Sequence, residues 1–206
     1  MNDARAMLAY TIWHWPRQGV ERDLYEAHNR RFHAVLARDP APGFKASQST
    51  RVTGLSWAND GKQVYQDRFL VNSWSVFDEL EPHAISGTRQ EPHRHVATTV
   101  GGAIAGMYGL RLGTFQKAPR WSYWFSKPDG MTYEDLDAAF RPVLKRSAVL
   151  WGRKLVLGAT PEFCVESEAP IELPGVGQPL VVRLEPVWNT FDEYDRQRSI
   201  ESHIII

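Results

Sequence analysis

Near its amino end, the sequence changes from strand-type residues to the spacing of an amphipathic helix. Residues 8–15 (LAYTIWHW) are rich in aromatic and β-favouring side chains, which predicts a strand. In residues 20–39, Leu24, His28 and Phe32 recur at helical spacing between charged residues. Because proline and glycine in the intervening PRQG favour a turn, we predict a strand and then a helix whose apolar face, with His28 on it, packs on a sheet.

The pattern that follows completes one compact unit. Residues 44–57 and 62–74 predict two antiparallel strands that turn at ANDG, residues 58–61. Residues 91–106 predict a second helix weakened by glycines, and residues 107–115 (MYGLRLGTF) predict a fourth strand. The order β-α-β-β-α-β is that of a ferredoxin-like unit.

The second half of the sequence repeats this order. Residues 120–127 (RWSYWFSK) predict a strand, and residues 132–152 predict a helix in which Pro142 causes a kink. Thr132 and Asp135 are spaced as a capping box at the start of that helix. Two further strands are expected, and the final HIII is interpreted as either a short fourth strand or a tail; these segments are residues 154–167, 178–188 and 203–206.

A short phrase also occurs twice, as WSVFDE at residues 74–79 and WNTFDE at residues 188–193, 114 residues apart. The first helices of the two halves align with an offset of 112 residues, which places His28 opposite Phe140. We interpret both matches as marks of one duplication, with the phrase as a recurring strand-to-helix junction. The predicted domains, packed as one unit, are a first ferredoxin-like repeat at 1–117 and a second at 118–206.

Two ferredoxin-like units in one chain resemble the dimeric α+β barrel superfamily in its tandem form. The order of elements and the aromatic-rich first strands resemble the antibiotic-biosynthesis monooxygenases and the ethyl-tert-butyl-ether-degradation family. The resemblance implies an α+β fold in which tandem ferredoxin-like repeats close their antiparallel sheets into an α+β barrel. It also implies a ligand pocket between a sheet and its helices, and it is compatible with a homodimer.

Two histidines are the candidate catalytic residues. His28 replaces a core aromatic of the other half, and an imidazole with an ordinary pKa of about 6.5 can act as an acid or a base near neutrality. The alternative is a core histidine with a satisfied hydrogen bond. His14 shares a strand face with Tyr10, whereas Trp13 lies on the other face. If the His14 face meets the helix, His14 approaches His28; otherwise Trp13 lines that space, and His14 is a surface residue.

Other residues are candidates for substrate binding. Aromatic residues make up 12% of the chain, which indicates either a well-filled core or a cavity for a flat apolar ligand. Arg68 lies inside an apolar strand, where it either pairs with an acidic residue in the barrel or anchors the carboxylate or enolate of a ligand. The aromatic candidates for shaping the cavity are Tyr10, Trp13, Tyr65 and Tyr123.

Charge and composition exclude several classes of partner. Twenty-four basic residues balance 24 acidic ones and form no basic block, which argues against nucleic acid. No apolar run reaches the roughly 20 residues that span a bilayer, so no membrane partner is expected. A single cysteine, Cys164, and the lack of a signal-peptide pattern favour a cytoplasmic protein.

The sequence also lacks the motifs of several enzyme classes. It has neither a Walker-type phosphate loop nor a G-x-S-x-G elbow. On the predicted helix, His93 and His95 lie about 200° apart, so no metal site is predicted. One of them is a candidate haem ligand under the resemblance to the haem-binding members of the superfamily.

These observations favour an enzyme that acts on a small apolar molecule, aromatic or polyketide-like, without a cofactor. The reaction classes are oxygenation, isomerisation or cyclisation through proton abstraction, with His28 as the base and His14 as a second catalytic candidate. The alternatives are a haem protein of the chlorite-dismutase type and a non-catalytic ligand-binding protein.

Overall fold

The computed structural model describes residues 7–115, 117–144, 148–156, 158–192 and 194. The helices are α1 Arg22–Arg38, α2 Val76–Ala84, α3 Gln90–Thr99 and α4 Tyr133–Leu144. The strands are β1 Leu8–Pro16, β2 Phe44–Val52, β3 Val64–Val71, β4 Val100–Gly113, β5 Trp121–Phe125, β6 Ala148–Val156, β7 Phe163–Ser167, β8 Leu180–Arg183 and β9 Glu185–Asn189.

The strands form one antiparallel sheet that contains the same arrangement twice. Its order is β8-β5-β7-β6-β4-β1-β3-β2-β9. Within the first half the order is β4-β1-β3-β2, and within the second half it is β8-β5-β7-β6. Both read fourth, first, third, second, which is the ferredoxin-like order. The predicted α+β fold with tandem ferredoxin-like units is therefore confirmed.

The fourth strand of each unit joins the two units. β4 pairs with β1 from Val100 to Gly109 and with β6 from Gly106 onwards. β8 pairs with β5, and β9, which follows after Leu184 alone, pairs with β2 of the first unit. One continuous segment therefore connects the two ends of the strand order. Because of this connection, the sheet curls into a nearly closed barrel.

Side chains of the sheet alternate between the helices and the barrel interior. Tyr10 and Ile12 pack in the cluster under the helices, whereas Ala9 and Trp13 belong to the cluster inside the barrel. Large aromatic rings fill that interior, including Trp13, Trp124 and Trp151, each at most 1% exposed. The His14 face of β1 therefore meets helix α1, which the sequence left open.

Several predicted boundaries are wrong. The helix predicted over 132–152 ends at Leu144, after Pro142, and the β-favouring residues beyond it form β6. The strand predicted over 154–167 divides into the end of β6 and the whole of β7. The helix predicted over 91–106 stops at Thr99, so the glycine-rich stretch opens β4.

The structure also differs from the sequence in two expectations, which concern the fourth strand of the second unit and the repeated tryptophan phrase. β8 is the fourth strand, and residues 203–206 lie outside the described residues. Trp74 follows β3 and is 51% exposed, whereas Trp188 lies in β9 and is 8% exposed. The phrase is therefore not at equivalent positions, and the duplication shows in the strand order instead. The predicted boundary at residue 117 falls between β4 and β5 and stays a prediction.

Gly113 ends β4 with a φ of +84°, in the left-handed region. A Cβ there would lie 2.3 Å from the carbonyl oxygen of Ala148. We expect Gly113→Ala to lower the free energy of unfolding by about 1–3 kcal/mol, measured by urea denaturation. Gly158→Ala is the control, because a Cβ at Gly158 has nothing within 4 Å. Equal stability of the two variants would contradict the expectation.

Candidate functional site

A cavity of about 550 Å³ lies between the first-unit sheet and its helices. Strands β1 and β3 form its floor, and α1, α2 and α3 form its walls. Its lining is apolar apart from one histidine and the hydroxyl of a tyrosine: Tyr10, Ile12, Phe32, Leu36, Phe69, Phe77, Leu80, Ala84, Ile85 and His93. This is the place that the resemblance implies for a ligand.

His93 is the imidazole in this lining. It is half-buried on α3, and its ring meets the edge of Phe32 at a centroid distance of 5.5 Å. Burial lowers the pKa of His93 below its ordinary value. The ring is therefore unprotonated at neutral pH and can accept a proton from a bound molecule. From the sequence, His93 was a candidate only for a metal or haem ligand. Its helical spacing from Val96, which packs on the same core, indicates an inward face.

Beside the cavity, Asp67 of β3 is the centre of a buried polar network. Oδ2 of Asp67 lies 3.0 Å from Nε2 of His14 and 3.0 Å from Nε2 of His33, and it accepts a 3.0 Å hydrogen bond from Nδ2 of Asn29. The angle at His14 is poor for a hydrogen bond. Burial alone would raise the pKa of Asp67, but the two adjoining imidazoles favour the ionised form and hold the pKa well below its usual range.

The other ring nitrogens extend the network. Nδ1 of His14 lies 2.6 Å from the hydroxyl of Tyr25, and Nδ1 of His33 lies 2.8 Å from Oγ of Ser47. If each ring carries its proton on Nε2, both hydroxyls donate to Nδ1, and the carboxylate accepts a hydrogen bond from Nε2 of His33. The backbone N–H of Ser47 then donates to Oγ1 of Thr190 at 2.9 Å. The network thus connects α1, β1, β2 and β3 with the segment after β9.

Ser47, His33 and Asp67 have the order of a nucleophile, a base and an orienting acid. Ser47 and His33 are both 0% exposed, and neither lines the cavity. No substrate carbonyl can reach a hydroxyl in that position. The arrangement therefore stabilises the fold, and serine-type acyl transfer is not supported.

The predicted catalytic histidines take different positions. His14 is buried in the Asp67 network. His28 is half-buried at the side of α1, where its ring stacks on His95 at 5.1 Å. The expectation that His28 faces the sheet is wrong, because the neighbouring Asn29 occupies that face. A catalytic role for His14 or His28 stays a prediction.

The predicted binding residues are spread over the protein. Tyr10 lines the cavity, and Trp13 is inside the barrel. Tyr65 donates a hydrogen bond of 3.2 Å to Oε1 of Glu26, beside the Asp67 network. Tyr123 lies in the core of the second unit, where its hydroxyl accepts from the N–H of Ile171. The structure therefore brings Tyr10 alone of these to the cavity, and Trp13 and Tyr123 shape protein cores instead.

Arg68 is an interior residue of the barrel. Its Nη2 lies 3.1 Å from Oε1 of Glu166, and both side chains are 1% exposed. Nε1 of Trp151 donates to Oε2 of the same carboxylate at 3.1 Å, and the Trp151 ring lies 5.2 Å from the guanidinium carbon. Of the two roles expected for Arg68, the pairing with an acidic residue is the one that the structure has.

The second unit fills the equivalent space with apolar side chains. Leu136, Phe140 and Leu144 of α4 are buried against its sheet. In α1 the buried residues with the same spacing are Tyr25, Asn29 and His33. Each lies one residue after the position that the sequence alignment matched to the buried residue of α4. The polar network therefore belongs to the first unit, and Ile171, Leu173 and Val176 of the loop before β8 complete the apolar packing of the second.

Among the described residues, no group of three or more histidine, cysteine, aspartate or glutamate side chains is placed to hold a metal ion. No helix in the described part of the chain is long and apolar enough to cross a membrane.

Neither a protein-family model nor a curated protein matches the chain. Solved structures with a similar fold include a protein provisionally named a monooxygenase from Fusobacterium nucleatum, 6% identical, with a TM-score of 0.59 over 89% of this chain and 93% of that protein. Another, also provisionally named a monooxygenase, is from Lactobacillus acidophilus NCFM; it is 9% identical, with a TM-score of 0.50 over 89% of this chain and 95% of that protein.

A chlorite dismutase from Candidatus Nitrospira defluvii is also similar, at 11% identity and a TM-score of 0.48 over 89% of this chain and 92% of that protein. At that level the likeness does not argue for haem. The identities are so low that the comparisons establish architecture and not activity. The chain therefore shares with these solved structures an α+β fold, in which two ferredoxin-like units on one polypeptide form a nearly closed barrel.

Proposed function

We propose that this protein is an enzyme that binds a small apolar molecule, aromatic or polyketide-like, in the cavity of the first unit. It removes a proton from that molecule without a cofactor, as the first step of oxygenation, isomerisation or cyclisation. The observation that carries the proposal is His93, an imidazole with a lowered pKa in a wall that is otherwise aromatic and aliphatic.

The size and lining of the cavity support an apolar ligand. Its volume of about 550 Å³ falls within the roughly 300–1,000 Å³ typical of small-molecule sites. Phe32, Phe69 and Phe77 line its space, and aromatic rings pack favourably against a flat ring system. A strongly charged ligand has no buried counter-charge among the lining residues.

The chemistry follows from an uncharged base in an apolar space. His93 accepts a proton from a carbon next to a substrate carbonyl, and the electron pair of the broken C–H bond is delocalised onto the carbonyl oxygen as an enolate. Return of the proton at another carbon gives isomerisation. Attack of the enolate carbon on a second carbonyl gives cyclisation, and the alkoxide that forms takes the proton back from His93. In oxygenation, dioxygen is the oxidant: it takes electrons from the enolate and bonds to its carbon, and the peroxide that forms takes up the proton from His93.

Deuterium exchange in D₂O tests the proton-abstraction step. We expect the protein to accelerate exchange of the acidic C–H hydrogens of at least one ketone among phenylacetone, 2-tetralone and anthrone, followed by proton NMR. His93→Gln should slow the protein-dependent exchange by about 100-fold or more, because general-base catalysis contributes on that order.

His28→Phe is the matched control, and it also tests the base expected from sequence. His28 does not line the cavity, and we expect the exchange rate of this variant to equal that of the wild type. If no ketone exchanges faster with the protein than without it, the proposed function is wrong. If His28→Phe loses exchange and His93→Gln keeps it, His28 is the base.

The cellular location and the oligomeric state of the enzyme are proposed on separate grounds. We place it in the cytoplasm because its single cysteine, Cys164, is an unpaired thiol. A homodimer is proposed from the resemblance to the superfamily, and light scattering on the purified protein measures this directly.

A further inference from the structure

A second cavity, of about 740 Å³, adjoins the first and opens toward solvent. It lies between the start of α2 and the edge of β4, where residues 103–107 line it in succession. Main-chain pairing of β4 with β6 begins only at Gly106, so the described part of the chain has no strand beside residues 100–105 on that side. The cavity is thus an open groove along a strand edge.

Two aromatic side chains line both cavities. Tyr10 of β1 and Phe77 of α2 belong to both linings, and their rings meet edge to face with centroids 4.9 Å apart. Phe77 is half-buried and lies in the first turn of α2. The two spaces are therefore separated by one aromatic pair and not by a layer of backbone.

The second cavity has small side chains on its floor and large apolar side chains at its rim. Ala103 and Ala105 leave its floor open, and Trp74 and Leu155 at its rim are 51% and 58% exposed. Exposed side chains of this size next to a groove are typical of a surface that a ligand covers. Asp78 is the one side chain in this lining of a type that is charged at neutral pH. It lies in the first turn of α2, where its carboxylate interacts favourably with the helix dipole.

We infer that the two cavities form one site with two compartments, for an elongated molecule with a ring system and an apolar chain. This inference rests on the proposed function. The ring system occupies the inner compartment, beside His93, and the chain passes the Tyr10–Phe77 pair into the outer groove toward Trp74. Phe77 is then a specificity-determining residue, because the position of its ring sets whether a long ligand can extend.

Calorimetric titration with 4-ethylphenol and 4-octylphenol tests the inference on the whole chain. We expect 4-octylphenol to bind more than tenfold more tightly than 4-ethylphenol. Ala105→Phe places a ring in the outer groove and should weaken 4-octylphenol at least tenfold, while 4-ethylphenol changes less than twofold. Ala105→Ser is the control, because it alters polarity at that position with little change in volume.

Trp74→Ala provides a second variant with little effect on folding, since its side chain is half exposed. It should weaken 4-octylphenol several-fold and leave 4-ethylphenol unchanged. If 4-ethylphenol binds and neither variant lowers the preference for the longer ligand, the two-compartment site is wrong and the inner cavity stands. If neither phenol binds, both this inference and the proposed apolar site fail.

Discussion

Removing one member of the Arg68–Glu166 pair is expected to lower the free energy of unfolding by about 3–5 kcal/mol. Both side chains are 1% exposed, so either change leaves a charge inside the barrel without its oppositely charged partner. Arg68→Met and Glu166→Leu are the single variants, measured by urea denaturation with tryptophan fluorescence. The double variant should lose less than the sum of the two, because it leaves no isolated charge.

A half-exposed pair provides the control for this prediction. Arg111 and Asp137 form two hydrogen bonds of 2.9 and 3.1 Å, with side chains 21% and 27% exposed. We expect Arg111→Met to cost no more than about 1 kcal/mol, since water screens such a pair. A loss for Arg68→Met no larger than that for Arg111→Met would show that the interior pair does not hold β3 of the first unit to β7 of the second.

The second large effect is expected at Asp67. Its carboxylate forms hydrogen bonds with Asn29 and His33 and lies 3.0 Å from Nε2 of His14, and hydrogen bonds to a charged group contribute about 1.5–3 kcal/mol each. Asp67→Ala should therefore lower the free energy of unfolding at neutral pH by about 3–5 kcal/mol. Asp67→Asn keeps the shape and one acceptor, so its loss should be smaller.

This contribution of Asp67 depends on pH in a definite direction. Its pKa in the folded protein is held below the value of about 3.9 expected in the unfolded chain. The folded state therefore binds fewer protons, and the stabilisation is fully present above about pH 5 and is lost progressively as the pH falls below it.

The stability difference between the wild type and Asp67→Asn should accordingly shrink between pH 5 and pH 3, measured by urea denaturation at each pH. Asp129→Asn is the control, because Asp129 is exposed on a loop and should change stability by less than about 0.5 kcal/mol. A stability difference that is constant over this pH range would show that folding does not lower the pKa of Asp67, and one that grows as the pH falls would show that the carboxyl is protonated in the folded protein.

Local patterns predicted the elements that depend on neighbours along the chain. The strand and helix at the start are present as β1 and α1, and the capping box forms as expected, with each of Thr132 and Asp135 accepting a hydrogen bond from the backbone N–H of the other. The spacing of apolar residues and the chemistry of caps act over a few residues, so they can be recognised without the fold.

Positions that depend on rotation or on distant partners were not predictable. Successive residues on a helix differ by about 100°, so a shift of one residue moved the inward face from His28 to Asn29 and His33. In the sequence, Arg68 is equally compatible with a ligand and with an acidic partner. The structure places Glu166 of β7 beside it, and that contact depends on the pairing of distant strands. The two tryptophan phrases have matching letters, but the first tryptophan follows β3 and the second lies within β9. A short match in sequence therefore did not show that the two stretches occupy equivalent places in the sheet.

By itself, the sequence determined that this chain contains two βα units of one kind and a surplus of aromatic side chains, because strand and helix periodicities are local properties. Only the tertiary structure decided that those rings divide between a filled barrel and an open cavity, and that His93 is the histidine at that cavity. The reason is physical: which side chains share a space depends on strand register and helix rotation, and both are set by contacts between residues far apart in the chain.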